Sequence, residues 1–223
     1  MKIAELFYSL QGEGALVGVP SVFIRTSGCN LRCGWCDTPY TSWSPEGMDW
    51  PLGRIVDEVK AHPARHVVVT GGEPMIAPEI VPLTERLRQL GMHLTVETAG
   101  TVFQPVACDL MSISPKLANS TPSGSWAAQH ERLRIQPPVL RDLMARYDYQ
   151  LKFVIEKPED LEEVRALADS LEADPGKVIL MAEGTDRDVL RERGLWLAEI
   201  AKAEGFRFTP RLHVELWGNR RGV

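Results

Sequence analysis

The sequence predicts an α/β fold with a mainly parallel sheet, and three observations support this. Short runs rich in β-branched residues alternate with longer amphipathic stretches, which is typical of strands joined by crossover helices. Residues 66–70 (HVVVT) are continuously apolar, as in a strand buried on both faces of a parallel sheet. The chain has 223 residues and is 44% apolar, which suits a single domain over residues 1–223. Because the strands are too few for an eightfold barrel, we expect a partial, open (β/α) barrel.

Each predicted element follows from its own pattern. Residues 21–26 (SVFIRT) form a β-branched and aromatic run that leads straight into a cysteine-rich loop. Segment 117–138 is rich in Asn, Ser, Thr, Pro and Gly, so we expect an irregular inserted loop with about one helical turn near residues 126–134. The other predicted elements are strands at 93–98, 109–114, 149–155, 178–181 and 212–216, and helices at 52–61, 79–90, 159–171 and 186–203.

Composition excludes several classes of function. The net charge is −5 and no Lys/Arg-rich run occurs, so we expect no nucleic-acid partner. The apolar runs are far shorter than a membrane span. The first residues, MKIAE, lack the apolar core of a signal peptide. We therefore expect a cytoplasmic protein without a membrane segment, in which thiols stay reduced.

Three of the four cysteines form a C-x3-C-x2-C motif at Cys29, Cys33 and Cys36. Three thiolates could hold a [4Fe–4S] cluster and leave one iron free for a small molecule. A closed zinc site would need a fourth ligand, and the nearest downstream histidine is His62. Zinc, or thiols without a metal, therefore remain as alternatives. The fourth cysteine, Cys108, is isolated, and we interpret it as a small buried hydrophobic residue.

Four loops should meet at one edge of the predicted sheet, because ligands of parallel α/β sheets lie beyond the carboxyl ends of the strands. These loops are the cysteine loop, the turn 71–74 (GGEP), residues 97–98 and residues 114–116 (SPK). The cysteine motif followed by GGEP resembles the radical S-adenosylmethionine (SAM) superfamily. The resemblance implies that SAM binds the open iron, that Trp35 lies near its adenine, and that the GGEP turn, with Glu73, binds its amino group. One electron from the cluster would then cleave SAM to methionine and a 5′-deoxyadenosyl radical.

A narrower resemblance joins motifs along the whole chain. They are FYSLQGEG at 7–14, FIR at 23–25, CDT at 36–38, TGGEP at 70–74, ETAG at 97–100, SPK at 114–116, Lys152 in LKFV and the tail LHVELWGN at 212–219. Together they are similar to the 7-carboxy-7-deazaguanine synthase family of queuosine and deazapurine biosynthesis. The resemblance implies a lyase that converts 6-carboxytetrahydropterin by hydrogen abstraction, ring contraction and loss of ammonia. It also implies Mg2+, a flavodoxin- or ferredoxin-type reductant, a homodimer, and a C-terminal segment, 209–223, that closes the site.

The resemblance assigns site residues position by position. Cys29, Cys33 and Cys36 would hold the cluster, Arg25 would bind the substrate carboxylate, and the Thr38 hydroxyl would bind Mg2+. Met181-Ala182-Glu183-Gly184 stands where the family often has a Gln-Pro turn, so only a backbone role transfers there. The residues expected to contact SAM are Trp35, Cys36, Asp37, Gly72, Glu73, Ser114, Pro115 and Lys116. The remaining residues expected to contact substrate are Leu10, Gln11, Gly12, Glu13, Thr70, His213 and Val223.

Two other functions stay open on the sequence alone. An activase of a glycyl-radical protein would share the cysteine spacing and the small size, but would lack the QGEG opening and the SPK element. A non-catalytic zinc module would be colourless, whereas a cluster protein would be brown. For His213 a second alternative also remains, because it lies in an apparent strand where a packing role is as plausible as a substrate contact.

Overall fold

A single nine-stranded sheet contains every strand of the chain, in the order β3-β1-β2-β4-β5-β6-β7-β8-β9. The computed structural model describes residues 1–223. The strands are β1 (Lys2–Leu10), β2 (Pro20–Thr26), β3 (Met48–Asp49), β4 (His66–Gly71), β5 (His93–Thr98), β6 (Leu110–Ile113), β7 (Tyr149–Ile155), β8 (Val178–Ala182) and β9 (Arg207–Thr209). From β2 to β9 all pairings are parallel, whereas β1 pairs antiparallel with both β2 and β3. The predicted mainly parallel, open sheet is confirmed.

Eight α-helices accompany the sheet. They are α1 (Pro39–Ser42), α2 (Leu52–Lys60), α3 (Ile80–Gln89), α4 (Ala127–Arg134), α5 (Pro137–Arg146), α6 (Asp160–Ser170), α7 (Arg187–Glu204) and α8 (Leu212–Trp217). Asp186 caps α7 by accepting from the Asp188 and Val189 N–H groups, and Gly205 ends it at a φ of 70°. No helix is long and apolar enough to cross a membrane.

The sheet separates an apolar core from a polar interior. On β7, Leu151, Phe153 and Ile155 join the core that the helices cover, whereas Lys152 and Val154 line a cavity on the other face. This alternation follows from the two-residue period of a strand. Further polar residues on the cavity side are Arg25 on β2, Thr70 on β4, Glu97 on β5 and Ser112 on β6. The strands therefore direct polar side chains into the cavity and apolar side chains into the core beneath the helices.

The barrel is not closed by strand pairing. Beyond the two edges, the turn after β1 meets the segment after β9 along a line that we call the seam. One backbone hydrogen bond crosses it, from the Leu212 N–H to the Gly12 carbonyl at 2.9 Å. A second contact runs from the Gly14 N–H to the Thr209 hydroxyl at 2.8 Å. Gly12 is required here, because a Cβ at this position would lie 2.0 Å from Nδ1 of His213.

The structure corrects one predicted element. Residues 212–216 form the helix α8 and not a strand. The pattern LHVEL fits a period of two, but only Val214 of this helix is fully buried. Tertiary contacts decide the helix, because Arg187 donates to the carbonyls of Val214 and Leu216, each at 3.1 Å.

Segment 117–138 is more regular than the sequence predicted. It contains a 3-10 turn, Ala118–Ser120, the eight-residue helix α4 and the start of α5. Two of its groups hold the cysteine loop. The Ser120 carbonyl accepts from the Gly34 N–H at 2.8 Å, and His130 Nδ1 accepts from the Arg32 N–H at 3.2 Å. The inserted segment therefore supports the loop that carries the cysteines.

Candidate active site

A cavity of about 430 Å3 lies inside the open barrel, within the size range of small-molecule sites. All of the residues predicted for the site line it except Glu73 and Pro115. The predicted residues found there are Leu10, Gln11, Gly12, Glu13, Arg25, Cys29, Cys33, Trp35, Cys36, Asp37, Thr38, Thr70, Gly72, Ser114, Lys116, His213 and Val223. The fold thus brings together residues from both ends of the chain.

The three cysteines of the motif are free thiols on one wall of the cavity. Burial raises the pKa of Cys29 to about 12 and that of Cys33 to about 11, so metal binding there must displace protons. The Leu31 N–H donates to Cys29 Sγ at 3.4 Å, and Ser42 Oγ lies 3.3 Å from Cys36 Sγ. Such contacts suit sulfur atoms that carry negative charge.

The donor set fits an iron–sulfur cluster better than zinc. No three His, Cys, Asp or Glu side chains converge on one ion-sized position. A structural zinc ion needs four ligands about 2.3 Å away, whereas a cluster separates its ligands across several irons. With Cys108 outside the cavity wall, three thiols remain as ligands, and one iron of a four-iron cluster would stay open. The zinc alternative is therefore not favoured.

The GGEP turn is locked against the cysteine loop by backbone contacts. The Gly72 N–H donates to the Thr26 carbonyl at 3.2 Å, and the Glu73 N–H donates to the Gly28 carbonyl at 2.9 Å. A Cβ on Gly72 would lie 2.2 Å from the Gly28 oxygen and 2.8 Å from the Thr41 oxygen. Glycine is thus needed at position 72 for close approach of two backbones.

Glu73, which the resemblance assigns to SAM, does not line the cavity in this structure. Its carboxylate is fully buried and accepts from Thr98 Oγ1 at 2.7 Å, the Ala99 N–H at 2.8 Å and the Met75 N–H at 3.1 Å. Burial raises the pKa of Glu73, while these hydrogen bonds oppose the rise. With its oxygens occupied in this way, Glu73 holds the turn to the end of β5. Pro115 also lies off the cavity wall, and only Ser114 and Lys116 of its motif reach it.

Lys116 has no carboxylate partner. Its Nζ donates to the Ser114 carbonyl at 2.9 Å and to Ser114 Oγ at 2.8 Å, and lies 5.9 Å from the centre of the Trp35 ring. These contacts place one uncompensated cation at the cysteine end of the cavity. That charge suits an anionic group on a bound ligand.

Arg25 is a second cation with spare hydrogen-bonding capacity. Its Nε is buried without a hydrogen-bond partner, although Glu5 Oε2 lies 3.6 Å away. Both Glu5 oxygens are also buried without hydrogen bonds. A guanidinium carries five N–H donors and matches a carboxylate in a bidentate pair. The Nε thus faces Glu5, and the rest of the Arg25 guanidinium, which lines the cavity, keeps donors for an anion there.

Glu97 organises the floor of the cavity. One of its oxygens accepts from Gln11 Nε2 at 3.1 Å, and the other accepts from Thr70 Oγ1 at 2.9 Å. Because a carboxylate only accepts, these bonds fix the Gln11 amide with its oxygen toward the Glu13 N–H, 3.3 Å away. The turn after β1 thus enters the barrel with a defined shape.

Two carboxylates and two cations form a connected network beside this turn. Glu13 pairs with Lys152 and Arg211, and Arg211 also pairs with Asp37. Burial opposes ionisation of Glu13, yet Lys152 and Arg211 lower its pKa. Burial likewise opposes ionisation of Asp37, and Arg211 lowers its pKa. Both groups are therefore carboxylates at neutral pH.

The C-terminal residues form one side of the cavity. His213 lies on α8, and burial lowers its pKa, so it is neutral at neutral pH. Arg221 lies over the Tyr40 ring, 3.4 Å from its centre, and donates to Glu46 at 3.0 Å. These contacts hold the last residues, including Val223, at the cavity wall.

Sequence reasoning did not assign roles to several residues of this site. They are Glu5, Glu97, Lys152, Glu183 and Arg211, all of which line the cavity. The sequence could have indicated Glu97 and Lys152, because each is a charged residue within a largely apolar strand, where alternate residues point to opposite faces of the sheet. Nothing local marks Arg211, whose partners are distant in the chain.

Comparisons with known proteins agree with this geometry. Residues 23–119 match the model of the Radical SAM superfamily. The 7-carboxy-7-deazaguanine synthase of Halobacterium salinarum is 47% identical, covering 98% of this chain and 91% of that protein. The 7-carboxy-7-deazaguanine synthase of Pyrobaculum aerophilum is 35% identical, covering 100% and 97%. The crystal structure of QueE from Escherichia coli is similar with a TM-score of 0.70 and 26% identity, covering 95% of this chain and 94% of that chain.

The relatives match the chain over nearly its full length, so the similarity includes the turn after β1, the cysteine loop and the C-terminal segment. The activase alternative is not favoured by these relatives. The chain belongs to the 7-carboxy-7-deazaguanine synthase family of the radical SAM superfamily.

Proposed function

We propose that this protein is a radical SAM lyase that converts 6-carboxy-5,6,7,8-tetrahydropterin to 7-carboxy-7-deazaguanine and ammonia. The observation that carries the proposal is one cavity with three free thiols at one end and an Arg25 guanidinium with spare donors in its wall. The atoms balance, because substrate and product differ only by the ammonia that leaves. No net oxidant is consumed, so SAM can act catalytically.

The residues on the cavity wall suit the cofactors of the family. Cys29, Cys33 and Cys36 would hold a [4Fe–4S] cluster, and the Gly72 backbone and Lys116 would contact SAM. When bound, cluster and SAM supply the one-electron chemistry that removes a hydrogen atom from a carbon of the substrate. Contact of that end with bulk water is limited, since Cys33 is buried and the other two thiols are half-buried.

The substrate would be held from two sides. Arg25 would bind its carboxylate and so fix the adjacent C–H relative to the cysteine end. Glu13 is held as an acceptor by its two cations, and it would take hydrogen bonds from the amino and ring N–H groups of the pterin. The charges of Arg25 and Glu13 would thus together orient the substrate carbon that bears the carboxylate.

The proposed activity can be tested directly. Protein purified and loaded with iron and sulfide without oxygen should be brown, and with SAM, reductant and the pterin it should form 7-carboxy-7-deazaguanine, identified by mass spectrometry. A control with tetrahydrobiopterin, which has no carboxylate, should give no deazapurine. A colourless zinc protein, or a loaded protein that cleaves SAM and leaves the pterin unchanged in mass, would refute the proposal.

We also propose a Mg2+ ion near the Thr38 hydroxyl. This oxygen lies 3.9 Å from Cys36 Sγ and 3.5 Å from Thr41 Oγ1, so it sits between the cysteine end and the open cavity. Mg2+ in enzymes often takes few protein oxygens and completes its shell with substrate and water.

Thr38→Ala should retain full iron content but lose the stimulation of turnover by Mg2+, because the ligating oxygen is gone. Thr38→Ser keeps the hydroxyl and serves as the control, with stimulation close to that of wild type. Rates measured with chelator and with added Mg2+ decide the point. Equal stimulation of wild type and Thr38→Ala would show that the ion binds elsewhere.

The family resemblance supports three further proposals for the setting of the enzyme. A flavodoxin- or ferredoxin-type protein would deliver the electron, two copies would associate as a homodimer, and the protein would work in the cytoplasm. The four unpaired cysteines suit that reducing compartment. Mass in solution, measured by light scattering, tests the dimer, and reduction of the cluster by each candidate protein tests the electron donor.

A further inference from the structure

Arg211 contacts three different parts of the site at once. Its Nε donates to Glu13 Oε1 at 3.0 Å and its Nη1 donates to the Gly184 carbonyl at 2.6 Å. Its Nη2 donates to Asp37 Oδ2. The residue is 8% exposed, so the guanidinium is held on all sides and spends its donors within the protein.

The partners of Arg211 belong to segments that are far apart in sequence. Glu13 lies in the turn after β1, Asp37 lies between Cys36 and Thr38, and Gly184 follows β8. No other side chain hydrogen-bonds both the turn after β1 and the cysteine loop. Arg211 is thus the direct link between the proposed cluster end and the proposed substrate end.

The charges of this link are balanced. Lys152, on the inner face of β7, holds the other oxygen of Glu13. Two cations therefore face two carboxylates, which offsets much of the cost of taking these charges out of water. Removing Arg211 would leave Glu13 with one cation and Asp37 with no hydrogen-bonded cation, with only the more distant charge of Arg25 acting on it.

Loss of this link should act on both carboxylates. A carboxylate has about four acceptor positions, and Arg211 and Lys152 occupy two of those on Glu13. These two bonds fix the orientation of the Glu13 carboxylate, and so they determine where its remaining acceptor positions point. On Asp37, the bond to Arg211 restrains the residue that follows the last cysteine.

We propose that Arg211 is a positioning residue that sets the distance and orientation between the cysteine loop and the Glu13 turn, and thereby selects the pose of the substrate. The substrate part rests on the proposed function, whereas the restraint of the cysteine loop does not.

A variant at Arg187 serves as the control for a purely structural role of Arg211. Arg187 also holds α8, through the carbonyls of Val214 and Leu216, but it contacts neither Glu13 nor Asp37. If Arg211 merely fastened α8, then Arg187→Gln and Arg211→Gln would have the same effects. The two variants therefore separate fastening of the helix from positioning of the site.

The experiment compares wild type, Arg211→Gln, Arg211→Lys and Arg187→Gln, all loaded with cluster. Arg211→Gln should weaken binding of the pterin by about tenfold, as expected for the loss of a charge-assisted contact. It should also raise the amount of 5′-deoxyadenosine released for each product formed. Arg187→Gln should stay within about twofold of wild type in both, because Arg187 touches neither Glu13 nor Asp37 and the Leu212–Gly12 hydrogen bond still holds the start of α8. Arg211→Lys should fall between, because an ammonium cannot reach three partners as a planar fork does.

A second readout needs no substrate. The rate at which a chelator removes iron should be faster in Arg211→Gln than in Arg187→Gln, and combining Arg211→Gln with Asp37→Asn should add little further, as for two groups in one contact. Equal iron-release rates in the two arginine variants would overturn the inference. If wild type releases no product and binds no pterin, the proposed function fails, while iron release still decides the role of Arg211.

Discussion

Cys29→Ala, Cys33→Ala and Cys36→Ala are each expected to abolish cleavage of SAM and formation of product. The physical reason is that the cavity wall carries three thiols and no fourth protein ligand. With two thiolates a four-iron cluster would have two irons without protein ligands, and the assembly should not persist. Iron and sulfide content after reconstitution, together with visible absorption, measures the loss.

Cys108→Ala is the matched control for these variants. Its thiol lies off the cavity wall, 3.6 Å from the Leu94 carbonyl, and burial raises its pKa to about 12. This variant should keep full iron content and activity. A loss of iron in Cys108→Ala, or about four irons per chain in any of the other three variants, would refute the assignment of the ligands.

Arg25→Ala should bind SAM and hold its cluster normally, yet bind the pterin on the order of 100-fold more weakly, as for the loss of a few kcal/mol from a charge-assisted pair. The structure supplies the reason, since Arg25 lines the cavity and its only ion pair within the protein, with Glu5, is long at 3.6 Å. SAM cleavage without product should persist or rise, because the C–H would no longer be held in place.

Arg25→Lys should restore binding only in part, because a point charge cannot form the bidentate pair. Arg54→Ala serves as the control, since Arg54 lies over the Trp50 ring, away from the cavity. Titration with pterin that has or lacks its carboxylate identifies the partner. If removal of the carboxylate weakens wild type and Arg25→Ala by the same factor, Arg25 is not the residue that binds it.

Local patterns predicted most of the fold. The parallel strands from β2 to β8 were expected from apolar runs, and their observed bounds differ by only a residue or two. The strand β1 was not predicted, because Phe7-Tyr8-Ser9-Leu10 was interpreted only as part of a motif; its pairing with β2, including the stacked rings of Phe7 and Phe23, supplies what the local pattern lacks. The helix α8 was predicted as a strand, because contacts with Arg187 and Gly12 outweigh its alternating sequence.

The residues of the candidate site also fall into those that local patterns revealed and those whose roles depend on the folded structure. Cys29, Cys33 and Cys36 were found from their spacing, and the loops at the strand ends were found from the order of elements. Arg211 could not be found, because its role depends on Glu13 and Asp37, which approach it only after the sheet has curved. Glu73 was expected to contact SAM, and its carboxylate lies buried against its own turn, which a sequence alone does not tell.

The seam has a mechanical consequence. Widening the barrel there strains one backbone hydrogen bond, the Gly14–Thr209 contact and the ion pairs that join Glu13 to Arg211 and Lys152 and Arg211 to Asp37, whereas no β-ladder crosses the seam. The seam is therefore the line along which the barrel can widen without loss of strand pairing. The proposed bicyclic substrate would enter and leave by opening that line, and because Arg211 also holds Asp37, the same movement would reach the loop with the three thiols.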